Sequence, residues 1–120
     1  MKILILGASG QMGKLFARLL KQDHEIINFD LLDWDNFEQA KNKINQADLI
    51  LLAVTMDKTC SVISQISPYV KYNQGLCDLT SIKLPILTEM LKKHAGPVLG
   101  LHPIFGPNIT SYQWPLVICE

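Results

Sequence analysis

The sequence lacks an excess of charge of either sign, a long apolar run and a paired set of cysteines. Its 11 lysines and arginines balance its 11 aspartates and glutamates, so no basic excess exists to attract nucleic acid or an anionic membrane. No apolar run approaches the roughly 20 residues that cross a bilayer. The first apolar run is too short for a secretory signal, and glycines follow it. We therefore expect neither a nucleic-acid partner nor a membrane partner.

Cysteine and arginine are also scarce. The three cysteines, at positions 60, 77 and 119, form no Cys-x-x-Cys pair. An odd number with this spacing argues against a disulfide framework and against a zinc site, so we expect reduced thiols, a cytoplasmic protein and no bound metal. Arg18 is the sole arginine. The chain of 120 residues, 48% hydrophobic and 18% charged, has the composition of one globular domain.

Apolar segments of strand length alternate with segments of helical periodicity along the chain. Strands are predicted at residues 3–6, 25–30, 49–54, 76–79, 98–101 and 116–119. Helices are predicted at about 12–20, 35–45, 59–69 and 84–94. This alternation is typical of the α/β class. We predict a doubly wound, mainly parallel sheet of about six strands, with helices on both faces and residues 1–120 in a single domain.

A glycine-rich loop lies between the first strand and the first helix. It consists of Gly7, Ala8, Ser9, Gly10, Gln11, Met12 and Gly13. Ala8 occupies the first glycine position of the commonest G-x-G-x-x-G pattern, and Gly7 supplies the related G-x-x-G-x-x-G spacing. Gly10 would let the backbone approach a pyrophosphate, and Gly13 would let the helix pack closely on the strand. The loop predicts a Rossmann-type dinucleotide site at a helix N-terminus, although an ordinary glycine-rich turn is the alternative.

A carboxylate follows the loop at the expected distance. Asp30 ends the second predicted strand, 20 residues after Gly10 (30 − 10). An acidic side chain there can accept hydrogen bonds from the adenosine ribose, and it repels a 2′-phosphate. Leu31 and Leu32 offer no cation for that phosphate. Asp30 therefore favours NAD over NADP, and a solvated aspartate at a strand end is the alternative.

Two further polar segments follow later strands. Residues 78–83 contain Ser81, and residues 100–107 contain His102. Ligands of open α/β sheets bind beyond the carboxyl ends of the strands, so both segments are expected at the crevice that the glycine loop borders. A serine and a histidine there can form an acid–base pair. The alternative for His102 is a structural loop histidine stiffened by Pro103.

Four motifs together resemble one enzyme family. They are Gly-Ala-Ser-Gly-Gln-Met-Gly-x-Leu-Phe, Asp33-Trp34, Asp-Leu-Thr-Ser-Ile-Lys and Gly-Leu-His-Pro-Ile-Phe-Gly-Pro. In order and spacing they look like prephenate dehydrogenase, above all the bacterial type that is often fused to a chorismate mutase. The resemblance covers essentially the whole chain. The last two motifs are absent from generic Rossmann domains.

This resemblance implies the NAD-dependent oxidative decarboxylation of prephenate to 4-hydroxyphenylpyruvate, in tyrosine biosynthesis. It implies that His102 is the catalytic base, and that Ser81 orients it and lies beside the cofactor. Val54 ends the third predicted strand, and the loop after it lies near the cofactor. Thr55 there replaces a proline that is usual in the family.

The resemblance also implies a helical domain, which in the family follows this segment and which we do not expect within these 120 residues. That domain supplies dimer contacts and cations for the substrate carboxylates, so a separate helical domain or self-association is the expected partner. The candidate cleft segments of this chain offer only Lys83 as a cation. Two other functions stay open. One is a dinucleotide-binding module without turnover, and the other is a different Rossmann reductase acting on an imine or a hydroxy acid.

Overall fold

A computed structural model describes residues 1–30, 37–79, 84–103 and 116–119, without the side chains of residues 84, 102, 103 and 116–119. The strands are β1 (Lys2–Leu6), β2 (Glu25–Phe29), β3 (Leu49–Leu52), β4 (Gly75–Asp78), β5 (Val98–Pro103) and β6 (Leu116–Cys119). The helices are α1 (Gln11–Leu20), α2 (Phe37–Gln46), α3 (Met56–Ile66) and α4 (Leu84–Lys93), with a short 3₁₀ helix at Ser67–Tyr69.

These strands form one six-stranded sheet in the order β2-β1-β3-β4-β5-β6. The first five are parallel, and β6 pairs with β5 in the antiparallel sense. The predicted α/β class and mainly parallel sheet are therefore confirmed. Because all the parallel strands end at the same edge, the segments that follow β1, β2, β3, β4 and β5 begin along one side of the domain.

Strand β1 shows why the sheet is covered on both faces. Leu4 and Leu6 pack into one buried cluster, which also contains residues of α2, α3 and α4. Ile3 and Ile5 pack into a second cluster with Phe16 of α1. Successive side chains of a strand point to opposite faces, so an unbroken aliphatic strand requires two apolar layers. The predicted placement of helices on both faces is confirmed.

Several element boundaries differ from those the sequence predicts, and β3 ends at Leu52, so that Val54 lies beyond the strand. β2 ends at Phe29, so Asp30 is the first residue beyond the strand. α3 begins at Met56 rather than at residue 59. β5 continues through His102 and Pro103, because Pro103 still pairs with Leu116 of β6. His102 is therefore a strand residue and not a loop residue. The predicted helix start at Asp35 lies outside the described residues. None of the helices in the described part of the chain has the length and apolarity needed to cross a membrane.

A buried amide holds the opposite edge of the sheet together. The Gln74 side chain is 4% exposed, and its Nε2 donates to the carbonyl oxygens of Ile44 (2.6 Å) and Ala47 (2.7 Å). Its Oε1 accepts the Lys71 N–H at 2.8 Å. His94 Nε2 lies 2.7 Å from the Gln74 backbone oxygen. Gln74 thus joins the end of α2 to the segment before β4, and His94 is a buried structural histidine.

We expect Gln74→Leu to lower the free energy of unfolding by about 2–4 kcal/mol, because buried backbone groups lose their hydrogen-bond partner. Gln65→Leu is the control, since Gln65 is an exposed glutamine on α3. Urea unfolding followed by circular dichroism measures both variants. Equal effects of the two substitutions would show that the Gln74 amide does not stabilise this edge.

Candidate functional site

The turn after β1 is held in a conformation that suits glycine. Gly7 has a φ of 88°, and a Cβ atom there would lie 2.6 Å from the Ala53 carbonyl oxygen. The Gly7 N–H donates to the Phe29 oxygen at 3.0 Å, and the Gly10 N–H donates to the Gly7 oxygen at 3.1 Å. The glycine loop is therefore tied to the ends of both β1 and β2. A side chain at Gly7 would force the glycine loop away from Ala53, the residue that follows β3.

Gly13 sets how closely α1 approaches this turn. A Cβ atom on Gly13 would lie 2.2 Å from the Gly7 oxygen and 3.0 Å from the Ala8 Cα. The helix therefore packs directly on the glycine loop at the end of β1. Gly13 therefore lets the helix pack closely, as predicted, and its contacts are with Gly7 and Ala8, the residues just beyond β1.

The first turn of α1 presents backbone donors at the carboxyl edge of the sheet. Gly10 is the N-cap residue, and it has no side chain to bond the first N–H groups of the helix. The N–H groups of Gln11, Met12 and Gly13 have no partner within the helix. Ser9, Gly10 and Gln11 are exposed. Such a terminus carries a partial positive charge and binds phosphate groups well.

Asp30 lies beside the loop, as the sequence predicts. A cavity of about 280 Å³ is lined by Ala8, Ser9, Asn28, Phe29 and Asp30. A neighbouring cavity of about 140 Å³, the Lys58 cavity, is lined by Gly7, Ser9, Gly10, Asp30, Ala53, Val54, Thr55 and Lys58. Most of the predicted cofactor-binding residues therefore meet around two adjoining spaces. Asp30 is half-buried and lines both of them.

Lys58 was missed by sequence reasoning, which considered cations only in the two polar segments 78–83 and 100–107. Lys58 lies in the first turn of α3, where its N–H donates to the Thr55 oxygen at 3.0 Å. Because the predicted helix began at residue 59, Lys58 fell in the preceding loop. The signal that points to its position is Thr55, a residue type that often precedes the first turn of a helix. Lys58 thus adds a cation on the adenosine side of the cleft, outside the two segments to which the sequence assigned only Lys83.

A basic groove borders the other side of Ala8. Its cavity, of about 290 Å³, is lined by Ala8, Lys14, Ala17, Arg18, Lys21, Ile26 and Asn28. Arg18 is exposed on α1, as the sequence predicts. The groove runs between α1 and β2, and Asp30, which lines the two cavities described above, is not among its lining residues.

The two predicted catalytic residues are located only in part. The backbone of His102 lies in β5, opposite Val117 of β6. Strands β3 and β4 separate β5 from β1, a distance of about 14 Å at the usual strand spacing. Ser81 and Lys83 lie outside the described residues. The pairing of Ser81 with His102 therefore stays a prediction. Within the described ranges, no group of three or more His, Cys, Asp and Glu side chains is arranged to hold a metal ion.

A parallel sheet, a glycine turn that opens a helix and a carboxylate after the second strand define a Rossmann-type nucleotide-binding domain. Comparison of the sequence with known protein families identifies the family within this class. Residues 21–113 match the family model described as prephenate dehydrogenase, nucleotide-binding domain. The chain belongs to this family. The matched segment begins after the glycine loop, so the loop is evidence of nucleotide binding in addition to the family match.

Similar proteins cover nearly the whole chain. It is 38% identical over 117 residues to a T-protein of Haemophilus influenzae, covering 98% of this chain and 30% of that protein. It is 36% identical over 116 residues to a T-protein of Enterobacter agglomerans, covering 97% of this chain and 30% of that protein. The chain thus spans less than a third of the length of these relatives.

A solved structure shows the same fold. The prephenate dehydrogenase of Aquifex aeolicus, crystallised with hydroxyphenyl propionate and NAD+, superposes with a TM-score of 0.74 at 18% identity. The match covers 87% of this chain and 42% of that one. At this identity the likeness supports the fold alone.

Proposed function

We propose that this chain is the cofactor-binding and catalytic-histidine part of an NAD-dependent prephenate dehydrogenase of tyrosine biosynthesis. The observation that carries the proposal is the meeting of the glycine loop and Asp30 around two adjoining cavities, in a chain of the prephenate dehydrogenase family. The products are 4-hydroxyphenylpyruvate, CO₂ and NADH. The motifs around Ser81 and His102 favour this reaction over that of another Rossmann reductase.

The described residues fit a dinucleotide at the carboxyl edge of the sheet. The exposed Gly10 backbone leaves open the N–H groups that begin α1, and these would bind the pyrophosphate. The Asp30 carboxylate would accept hydrogen bonds from the adenosine ribose hydroxyls. Val54 and Thr55 would form the facing wall. When bound, NAD supplies the acceptor for the hydride that leaves the substrate ring.

His102 would act on the ring hydroxyl of prephenate. Its imidazole would accept the hydroxyl proton as the C–H bond breaks, and Ser81 would orient the imidazole by a hydrogen bond. Loss of CO₂ then makes the ring aromatic, so much of the driving force comes from the substrate. A positioned base of this kind contributes about 10²–10⁴ in rate. His102 is in β5, which lies between β4 and β6 in the sheet, whereas Asp30 follows β2 on the other side of β1. The backbone of His102 therefore lies on the side of β1 away from Asp30.

The partners follow from the same chemistry. Prephenate is the substrate, and a helical domain or a second copy of the chain is expected to complete the crevice. The balanced charge of the sequence favours neither nucleic acid nor a membrane surface as a partner. The odd cysteine count favours a reducing compartment, and we place the chain in the cytoplasm.

We expect the chain to bind NAD at least about tenfold more tightly than NADP, because Asp30 bonds the ribose hydroxyls and repels a 2′-phosphate. Asp30→Ser should narrow this gap several-fold, since the repelling charge is removed. Isothermal titration calorimetry with both nucleotides measures the effect. Asp23→Ser is the control, because Asp23 is an exposed aspartate in the turn before β2. Equal affinities for the two nucleotides in the unmutated chain would contradict the role of Asp30.

A further inference from the structure

Asp30 is not the only charged residue that lines the adenosine side of the cleft. Lys58 lines the same cavity of about 140 Å³, together with Ser9, Gly10 and Thr55. The carboxylate lies on the β2 side of the cavity, and the lysine lies at the start of α3, which follows β3. The two side chains carry opposite charges. A group that enters the cavity therefore meets an anion from one element and a cation from another.

The Lys58 ammonium has no structural task that the described residues reveal. Lys41 pairs with Glu38 at 3.2 Å, and Lys43 donates to the Asn28 oxygen at 2.9 Å while lying 5.0 Å over the Phe29 ring. Those lysines stabilise α2 and the edge strand β2. Lys58 is exposed, and no ion pair joins it to another residue in the described ranges. Its ammonium is therefore available to a ligand.

We propose that Lys58 is a specificity-determining residue, whose ammonium binds a phosphate on the 2′ oxygen of the adenosine ribose. This inference rests on the proposed function, because Asp30 must hold the ribose for its 2′ oxygen to enter the cavity. Lys58 then gives the cleft a residual affinity for NADP, and the preference for NAD is smaller than Asp30 alone would produce. A lysine binds phosphate as a point charge and does not require a fixed geometry.

The pyrophosphate is the other anionic group that Lys58 would meet. Its binding groups are the N–H groups at the start of α1. Ser9 and Gly10 of the glycine loop line the Lys58 cavity, whereas Gln11 and Met12 are not among the described residues that do. Asp30 does line that cavity. The cavity therefore adjoins both groups, and we assign Lys58 to the ribose end because Asp30 lines the same space.

The test compares Lys58→Gln, Asp30→Ser and the double variant with the unmutated chain. The control is Lys92→Gln, which removes the same charge from the exposed surface of α4. Calorimetric titrations use two ligand pairs, NAD with NADP and adenosine 5′-monophosphate with adenosine 2′,5′-bisphosphate. The members of each pair differ only by the 2′-phosphate.

We expect Lys58→Gln to weaken NADP and the bisphosphate by about three- to tenfold and to change NAD and the monophosphate less than twofold. In the Asp30→Ser variant, NADP is expected to bind more tightly than in the unmutated chain. Adding Lys58→Gln to this variant should remove most of the gained NADP affinity. Lys92→Gln should leave both ratios unchanged, since a distant exposed charge is screened by salt.

Equal weakening of NAD and NADP by Lys58→Gln would place the ammonium on the pyrophosphate and would overturn this inference. An unchanged NADP affinity in both backgrounds would overturn it as well. Either result leaves the proposed function intact, because NAD still binds. Failure of the unmutated chain to bind any of the four ligands would instead overturn the proposed function, and the role of Lys58 with it.

Discussion

A polypeptide of these 120 residues should bind NAD but form little or no NADH when prephenate is added. Prephenate carries two carboxylates, and moving them from water into a crevice requires paired cations. The chain has one arginine, Arg18, and it lies in the groove between α1 and β2. Lys58 lies on the adenosine side, in a cavity with Asp30. Neither residue is placed to form a bidentate clamp beyond β4 and β5.

Poor positioning of the substrate should lower the activity of the isolated chain further. The described crevice is an open edge of the sheet, and holding a substrate ring against the nicotinamide is worth several powers of ten in rate. NADH formation with saturating NAD and prephenate, followed by absorbance, measures the activity. The control is a chimera in which this chain replaces the matching segment of the Haemophilus influenzae T-protein, to which it is 38% identical over 117 residues. Rapid turnover by the isolated chain would show that its own residues, or a second copy, bind the carboxylates.

The layout of the sheet follows from sequence periodicity alone. β1 is aliphatic at every position after Lys2, and only a strand covered on both faces buries such a run. Leu4 and Ile5 indeed belong to opposite clusters. The glycine loop is predictable for a related reason. Gly7 and Gly13 stand where a Cβ atom would strike backbone atoms, so no other residue fits without a shift.

The start of α3 shows where periodicity is insufficient. Its first turn contains Met56, Asp57 and Lys58, all exposed, and the first buried residue of the helix is Thr59. A helix recognised by its apolar stripe is therefore located from its buried part, and its exposed first turn is lost. That turn carries Lys58, so the error in the boundary left a cation that lines the Asp30 cavity assigned to a loop.

The Gln74 network shows a second limit. Nothing in the sequence connects Gln74 with Ile44 and Ala47, which lie 30 and 27 residues away along the chain. A side-chain amide that joins two distant backbone segments becomes visible only when the fold brings them together. The proposed acid–base pair presents the same problem, because the motifs single out Ser81 and His102 but not the distance between them.

Replacing His102 by asparagine should lower kcat by about 10²–10⁴-fold and change NAD affinity less than about twofold. Asparagine keeps a hydrogen-bonding side chain but cannot accept the proton of the ring hydroxyl, so the interaction lost is one made mainly in the transition state. The His102 backbone lies in β5, which is separated from β1 by two strands, so the adenosine contacts around Asp30 should be preserved.

The measurement uses the chimera with the Haemophilus influenzae protein, because the expected effect is on turnover. Stopped-flow or steady-state formation of NADH gives kcat, and fluorescence titration gives the NAD dissociation constant. His24→Asn is the control, since His24 precedes β2 at the opposite end of the strands from the glycine loop. A loss of NAD affinity as large as the loss of kcat would make His102 a structural residue. An unchanged kcat would assign the proton acceptor to another group.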